Sequence, residues 1–170
     1  MKNNHPSLSL PSGSKVSLRP VTDADDEFLL SVYAGTREDE LALVPWSDEQ
    51  KYQFLKSQFD LQRQHYDANY DGIQYDVILF DQQPAGRIWI SRSDEIRLLD
   101  IALLSAFQNR GVGTVLLRGL IEEAVREKKP LRHMVFLLNT DAKRFYERLG
   151  FVVFEEVGAY LHMEWRDNGV

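Results

Sequence analysis

The middle of the chain alternates apolar and polar positions with the period of a β-strand. Three runs, IQYDVILF, AGRIWISR and IRLLDIALL, are rich in β-branched and aromatic residues, and the short segments DQQP and SDE separate them. A period of two puts successive side chains on opposite faces of a sheet, and polar turns of this length join neighbouring antiparallel strands. The pattern therefore predicts a three-stranded antiparallel meander.

The period becomes helical directly after the meander. The segment KKP ends the predicted helix, because cations suit a helix C-terminus and proline cannot continue it. A strand LRHMVFLL, a short helix TDAKRFYERLG that stops at Gly150, and two strands joined near Gly158 complete the chain. The apolar face of the first helix consists of Val112, Leu116, Leu117, Leu120, Ile121 and Ala124.

The N-terminal third carries helical signals after one short strand. KVSLRPV predicts a strand that proline ends, and TDADDEFLLSVYAG predicts a helix capped by Thr22 or Asp23. A short helix through REDELALV should end before Pro45. Ser47 and Gln50 form the pattern of a capping box, which opens a helix to about Tyr66. Residues 1–14 are rich in Ser, Pro and Asn, so we expect a flexible leader followed by a single domain over residues 15–170.

Composition and charge exclude several classes of function. The chain of 170 residues is 44% hydrophobic, has no apolar run near the ~20 residues that span a bilayer, and carries a net charge of -6. We therefore expect no partner among nucleic acids or membranes. The chain has no cysteine, which excludes disulfides and a cysteine nucleophile and fits a cytoplasmic location. The four histidines lack metal-ligand spacing, so no metal site is expected.

Acidic residues are concentrated near the N-terminus. Nine carboxylates lie between Val21 and Gln50, against the single cation Arg37. Two interpretations stay open: these acids are solvated helix faces, or they form a surface that attracts a cationic substrate.

The segment FQNRGVGT joins the last strand of the meander to the long helix. Gly111 and Gly113 permit positive φ and a close approach of a ligand, while a helix N-terminus offers unpaired N–H groups and partial positive charge. The segment lacks the Gly-Lys-Ser/Thr of a P-loop and the third glycine of a dinucleotide fingerprint. By itself it is compatible with an anion site or with a plain structural turn.

A second segment, NTDAKRFYERLGF, follows the next strand. Ala142, Phe145, Tyr146 and Leu149 have the spacing of a helix face that packs on a core, and Asn139 has the position of a helix cap. Taken alone, the pattern favours an ordinary amphipathic helix.

Together the two segments resemble the GNAT family of N-acetyltransferases. QNRGVG is similar to the family signature Q/R-x-x-G-x-G/A, and NTDAKRFYERLGF is similar to its later N-x-x-A-x-x-x-Y-x-x-x-G-F element. The resemblance covers roughly residues 74–166. Asn109 stands where the family often has glycine, which should stiffen the turn, and Ser105 stands where it often has proline.

The resemblance implies a mixed α/β fold. We expect a mostly antiparallel central sheet of about six to seven strands with about four to five flanking helices. The fourth and fifth strands of the family's sheet splay apart to admit acetyl-CoA. The donor would be acetyl-CoA, without a metal, and the acceptor would be an amine on a small molecule or peptide. Dimers are frequent among similar proteins, so a homodimer is also expected.

The resemblance also assigns roles to matching residues. Backbone N–H groups of the turn would hold the pyrophosphate, the strand IALL would pair with the pantetheine arm, and the backbone near Leu103 would contact the thioester carbonyl. Tyr146 would reach the sulfur as general acid. The expected cofactor-binding residues are Leu103, Leu104, Gln108, Asn109, Arg110, Gly111, Val112, Gly113, Thr114, Asn139 and Tyr146.

The base that deprotonates the amine has several candidates. Glu95 or Asp100 lies on or beside the strand that often carries it in related enzymes, Glu38 and Glu40 lie in the acidic helices, and a water chain is an alternative. Trp46, Tyr52 and His65 line an acceptor pocket or simply pack. Two other functions stay open: an acyl-CoA-binding sensor without turnover, and an α+β interaction domain without a ligand.

Overall fold

An eight-stranded, mostly antiparallel sheet forms the centre of the protein, in the order β1-β2-β3-β4-β5-β6-β8-β7. The structure is a computed structural model and describes residues 7–167. The strands are β1 Leu8–Ser9, β2 Lys15–Pro20, β3 Ile73–Phe80, β4 Gln83–Arg92, β5 Ile96–Leu103, β6 Leu131–Phe136, β7 Phe151–Val157 and β8 Tyr160–Trp165. The helices are α1 Asp26–Thr36, α2 Glu38–Ala42, α3 Asp48–Asn69, α4 Val112–Glu127 and α5 Thr140–Arg148. The predicted fold class, the meander and the Ser47–Gln50 capping box are confirmed.

The sheet separates two hydrophobic cores, because side chains alternate between its faces along each strand. On β4, Ile88 and Ile90 pack in the core under α4 and α5, while Trp89 packs with α1 and α3 on the opposite face. Leu116, Leu117 and Leu120 of α4 are buried in the first core, as the helical pattern predicted. Within residues 7–167, no helix has the length and apolar character required to cross a membrane.

The expected flexible leader is wrong for its second half. Leu8 and Ser9 pair with Val16 and Lys15, and Leu10 is buried in the core under α4. Two backbone hydrogen bonds, Leu10 N to Ser14 O and Gly13 N to Leu10 O, close the turn between the strands. The alternating apolar residues in LSL supply the buried side chains of an edge strand, so β1 adds an eighth strand to the seven that the sequence predicted. Residues 1–6 of the leader lie outside the described part of the chain.

Strands β5 and β6 separate after three paired residues. The parallel pairing ends at Leu98 and His133, although β5 continues to Leu103 and β6 to Phe136. The ladder with β4 pairs Leu98 with Ile90 and Asp100 with Trp89, so Leu99 is an extra, bulged residue. A bulge bends its strand and interrupts pairing. We call the gap between the two unpaired edges the β5–β6 opening. It is the splay between the fourth and fifth strands that the family resemblance implied. The strand numbers are higher by one here because β1 precedes them.

His133 reinforces the last paired position before the opening. Its Nδ1 lies 2.9 Å from Leu98 O, and the side chain is buried. Because a carbonyl oxygen only accepts, Nδ1 carries the proton, which leaves Nε2 as an acceptor. Burial lowers the pKa of His133 to about 4, so the ring is neutral at pH 7.

Substitution of Gly86 should separate β4 from β5. An added Cβ would lie 2.2 Å from Ala102 O and 3.0 Å from Leu103 Cα, and neither backbone atom can move without disturbing the ladder. Gly86→Ala should therefore lower the free energy of unfolding by about 2 kcal/mol in urea titrations. Gly35→Ala is the matched control, because nothing lies within 4 Å of its Cβ in α1; it should be neutral or stabilising. Equal midpoints for both variants would contradict this account of the strand contact.

His133 should make the stability depend on pH. Its pKa is about 4 in the folded protein against the ordinary value of 6.5, so between these pH values the unfolded chain binds more protons than the folded one. Stability should therefore fall by about 3 kcal/mol as the pH decreases from 7 to 4. His133→Gln keeps an N–H donor for Leu98 and should lose clearly less over the same range. Urea unfolding at both pH values measures the difference, and identical losses would refute the assignment.

Candidate active site

The turn between β5 and α4 has two residues in left-handed backbone conformation. Asn109 has φ 59° and Gly111 has φ 83°. Asparagine tolerates this region better than most residues, which explains how it occupies a position where the family often has glycine. The first hydrogen bond of α4 runs from Val115 N to Gly111 O at 3.1 Å, and no side chain caps this end. The N–H groups of Val112, Gly113 and Thr114 therefore point out of the helix.

Gly113 connects this turn to α5. A Cβ at Gly113 would lie 3.3 Å from the ring of Phe145, so glycine allows the start of α4 to pack closely on α5. The Arg110 guanidinium lies over the rings of Phe80 and Phe107, 5.4 and 6.0 Å from their centroids. The two sequence motifs are thus in contact, and the cation of the turn is stacked on aromatic rings beside it.

The backbone of Leu103 faces the β5–β6 opening. Leu104 N–H donates to Ala85 O of the β4 edge at 2.9 Å, while Leu103 lies opposite Gly86. In an antiparallel ladder, successive residues direct their backbone groups to opposite sides, so those of Leu103 point away from β4. Its carbonyl accepts from Gln108 Nε2 at 2.9 Å.

Two of the expected cofactor-binding residues use backbone groups within the protein. Leu104 N–H is bonded to Ala85, and its carbonyl accepts from Phe107 N at 2.9 Å, so its backbone is used within the protein. Gln108 N–H donates to Ser105 O at 3.3 Å in the short 3₁₀ turn. The Gln108 N–H is thus used within the turn, while its side chain holds the carbonyl of Leu103.

Tyr146 is buried on the α5 side of the opening. Its ring centroid lies 4.5 Å from that of His133 and 5.5 Å from that of Phe151. Burial raises the pKa of the Tyr146 phenol, and the negative charge of Asp100 contributes to the rise. The hydroxyl is therefore protonated at neutral pH.

Asp100 is the first residue after the bulge and lies on the opposite face, toward α3. Its Oδ2 is 2.6 Å from Nε of Arg87, a residue that is 1% exposed. Burial raises the pKa of Asp100, and the Arg87 guanidinium opposes that rise. Tyr66 of α3 donates its hydroxyl to Leu99 O at 3.0 Å, which ties the bulge to the helix. Burial also raises the pKa of Tyr66.

Glu95 lies away from the opening and is corrected as a candidate base. Its two carboxylate oxygens are paired with Arg97 Nε at 2.6 Å and Arg132 Nη1 at 2.8 Å. It precedes β5, roughly 16 Å along an extended strand from Asp100. The ion pairs join the closed ends of β5 and β6.

The remaining candidates are distributed around the site. Asn139 caps α5, and its Oδ1 accepts from Ala142 N at 3.1 Å. Trp46 packs edge-on against Phe54 at 5.3 Å, and Tyr52 is a surface residue of α3. The other candidates are Glu38 and Glu40 on α2, the latter paired with Arg37, and His65, whose ring lies 5.9 Å from that of Tyr66.

Sequence reasoning missed Arg87, Tyr66 and the neighbourhood of His133. Arg87 alternates with Ala85 and Trp89 in AGRIWISR, and a charge at such a position of a central strand was the available signal. The position of His133 in the sequence suggests only a possible metal ligand, without the spacing that a metal site needs. Its contact with Leu98 depends on strand pairing, which the sequence does not contain.

Two cavities among residues 7–167 lie elsewhere. One, of about 280 Å³, is between β2, β4 and α4, and the other, of about 330 Å³, is a depression beside Trp46 and Glu49. Neither includes Leu103, Asp100 or Tyr146. Among residues 7–167, no group of three or more histidine or carboxylate side chains is arranged to hold a metal ion.

Solved structures with the same fold include several acetyltransferases. The PaiA N-acetyltransferase of Thermoplasma acidophilum, in complex with coenzyme A, superimposes with a TM-score of 0.66 at 19% identity, over 89% of this chain and 99% of that one. An acetyltransferase of Thermus thermophilus gives 0.62 at 20% identity, over 88% and 94%. Arabidopsis thaliana Naa50, in complex with the bisubstrate analogue CoA-Ac-MVNAL, gives 0.55 at 15% identity, over 88% and 96%.

A search of curated protein sequences gives no match. The sequence profile of the acetyltransferase (GNAT) family matches residues 33–151, which is more than half of the chain and includes the glycine turn, Asp100 and Tyr146. On the profile and the fold together, this chain belongs to the acetyltransferase (GNAT) family.

Proposed function

We propose that the protein transfers an acetyl group from acetyl-CoA directly to a primary amine. The observation that carries this proposal is the β5–β6 opening, whose β5 edge leads through the glycine turn to the uncapped start of α4. Such an arrangement suits a ligand that has an extended amide-containing arm and a pyrophosphate. The PaiA enzyme with coenzyme A and Naa50 with a CoA-linked analogue have the same fold, which supports this choice of donor.

The turn and the first residues of α4 would hold the pyrophosphate. The left-handed residues Asn109 and Gly111 curve the backbone so that successive N–H groups converge, and the α4 dipole adds partial positive charge. The N–H groups of Val112, Gly113 and Thr114 have no acceptor within the helix, so an anion would satisfy them.

Leu103 N–H would stabilise the negative charge that develops on the thioester carbonyl oxygen. The opening leaves this N–H without a partner strand, while Gln108 fixes the Leu103 carbonyl on the same edge. One preorganised donor of this kind is typically worth ~3 kcal/mol in the transition state.

Tyr146 would donate a hydrogen bond to the leaving sulfur. A thiol with a reference pKa of about 8.5 is a stronger acid than an ordinary phenol at about 10, and burial raises the pKa of Tyr146 further, so full transfer of the phenolic proton is uphill by at least ~2 kcal/mol. A hydrogen bond that strengthens as charge builds on sulfur avoids this cost. The chain has no cysteine to form an acyl-enzyme, which favours direct attack by the amine.

Asp100 would accept the proton from the acceptor amine, since Glu95 is occupied by two arginines far along β5. A carboxylate with a raised pKa is a better general base near neutral pH than an ordinary one. The amine would be carried by a small molecule or a peptide. A cytoplasmic location and a homodimer belong to the same proposal.

Acetyl-CoA should stabilise the wild-type protein against heat, and a cradle variant should lose this effect. Gly111→Ala puts a side chain on a left-handed residue of the turn, so acetyl-CoA affinity should fall at least about tenfold. Gly158→Ala is the matched control, because Gly158 also has positive φ but lies in the β7–β8 turn. Thermal-shift titration with acetyl-CoA measures both variants. Absence of stabilisation of the wild type at millimolar acetyl-CoA would contradict the proposed donor.

Tyr146→Phe should reduce kcat at least about tenfold without changing the affinity for acetyl-CoA, because only the bond to the leaving sulfur is lost. Thiol release is measured across alkylamines, amino acids, aminoglycosides and short peptides. Tyr75→Phe is the control, since its hydroxyl binds Asp67 on the α3 side. Turnover of no amine by the wild type would favour a sensor, and an unchanged kcat in Tyr146→Phe would remove the tyrosine from the mechanism.

A further inference from the structure

Arg87 is a charged side chain in the centre of the sheet, enclosed by aromatic residues. We propose that Arg87 is a positioning residue: it fixes Asp100 at the bulge so that one carboxylate oxygen is held in the protein and the other is presented to the acceptor amine. This inference rests on the proposed function and gives a role to a residue that the sequence motifs do not include.

The surroundings of Arg87 make its burial costly unless the charge is used. Its guanidinium carbon lies 4.5 Å from the Trp89 ring centroid, 5.4 Å from that of Tyr33 and 5.5 Å from that of Phe59. Nη2 donates to Gln62 Oε1 at 3.3 Å, and Asp100 is its single ion-pair partner among residues 7–167. A buried ion pair is often no more stabilising than apolar side chains of the same size. Stability alone therefore gives little reason for this pair.

The pair is asymmetric about the carboxylate. Oδ2 of Asp100 is fully buried beside Arg87 Nε, whereas the Asp100 side chain as a whole is 20% exposed. The accessible surface therefore belongs to the part of the side chain that includes Oδ1. Because Asp100 follows the bulged Leu99, it lies where β5 leaves β6. Arg87 thus holds the closed side of a carboxylate whose other side is accessible at the opening.

Other titratable groups face the pair from each neighbouring element. Tyr66 from α3 and Tyr146 from α5 have phenol pKa values that burial raises, and the charge of Asp100 adds to both. His133 from β6 has a pKa of about 4 and is neutral at pH 7. Within the described part of the chain, Arg87 is therefore the cation that lowers the pKa of Asp100. Without Arg87, nothing would oppose the rise in this pKa that burial causes.

The proton transfers of the reaction explain why Asp100 would need Arg87 beside it. The acceptor as an ammonium ion gives one proton to Asp100, and its free nitrogen then forms the bond to the acetyl carbon while the carbon–sulfur bond breaks. The second proton of the nitrogen goes to the leaving sulfur, and Asp100 returns its proton to solvent. A carboxyl that is already protonated at neutral pH cannot perform the first step.

The decisive experiment is the pH dependence of kcat/KM, measured by thiol release with an amine that the wild type acetylates. In Arg87→Gln the pKa of Asp100 rises, so the acidic limb of the pH profile should move up by at least about one pH unit, and kcat/KM at a given pH on that limb should fall about tenfold. Arg87→Lys keeps the positive charge, so the acidic limb should lie at its wild-type pH again, while kcat should be lower than in the wild type. Acetyl-CoA affinity should be unchanged in both variants.

Arg92→Gln is the matched control. Arg92 lies on the same strand and pairs with Glu123 of α4 at 2.6 Å, away from Asp100, so the limb should stay at its wild-type position. The proposal would be overturned if the acidic limb of the Arg87→Gln profile lay at the wild-type pH and the rate were lowered equally at every pH. Arg87 would then have a purely structural role.

Two further measurements cover the other outcomes. If Arg87→Gln fails to fold, the double variant Arg87→Met with Asp100→Leu replaces the pair by apolar side chains. This variant should fold and bind acetyl-CoA without turning it over. Turnover at the wild-type rate by the double variant would refute the proposal. If the wild type acetylates no amine, the proposed function fails. Carboxylate NMR, assigned with Asp100→Asn, then still tests the pair, because the Asp100 midpoint must rise by about one unit in Arg87→Gln.

Discussion

The loss of pairing between β5 and β6 is the constraint on which the site depends. The bulge at Leu99 turns β5 while β6 stays paired with β8, so two strands in the middle of the sheet expose facing edges after Leu98 and His133. Unpaired backbone groups inside a protein are costly, and a peptide-like ligand arm can satisfy them. The His133 ring and the Tyr66 hydroxyl hold the carbonyls of Leu98 and of the bulged Leu99, respectively. The opening is therefore a fixed feature of the fold.

The two faces of the sheet supply different parts of the chemistry. The face under α4 and α5 carries Tyr146 and the glycine turn, which would act on the donor. The face under α1 and α3 carries Arg87 and Asp100, which would act on the acceptor amine. Because the opening lies between two strands of the sheet, groups from both faces can be placed beside it. The acetyl carbon and the amine nitrogen would therefore meet at the β5–β6 opening.

Much of the fold followed from local patterns. The meander, the capping box at Ser47 and the left-handed stop at Gly150 are set by neighbours in sequence, and the structure has all three. The error at the N-terminus has a physical cause: Leu8 and Leu10 form too short a pattern to predict a strand, and only pairing with β2 and burial against the core order them. The misplaced Glu95 has the opposite cause, since nearness in sequence to β5 said nothing about which end of β5 opens.

The sequence by itself determined the order of elements after β1, the family resemblance and the glycine turn, because each depends on residue patterns within continuous segments of the chain. Only the tertiary structure decided where the sheet opens, which N–H groups remain available, and which carboxylate reaches the opening. Leu104 N–H is used in a bond to Ala85. Asp100 is paired with Arg87 where β5 leaves β6, whereas Glu95 is paired at the closed end. These distinctions depend on strand register and on burial, which arise between segments far apart in the chain and leave no periodic trace within any one of them.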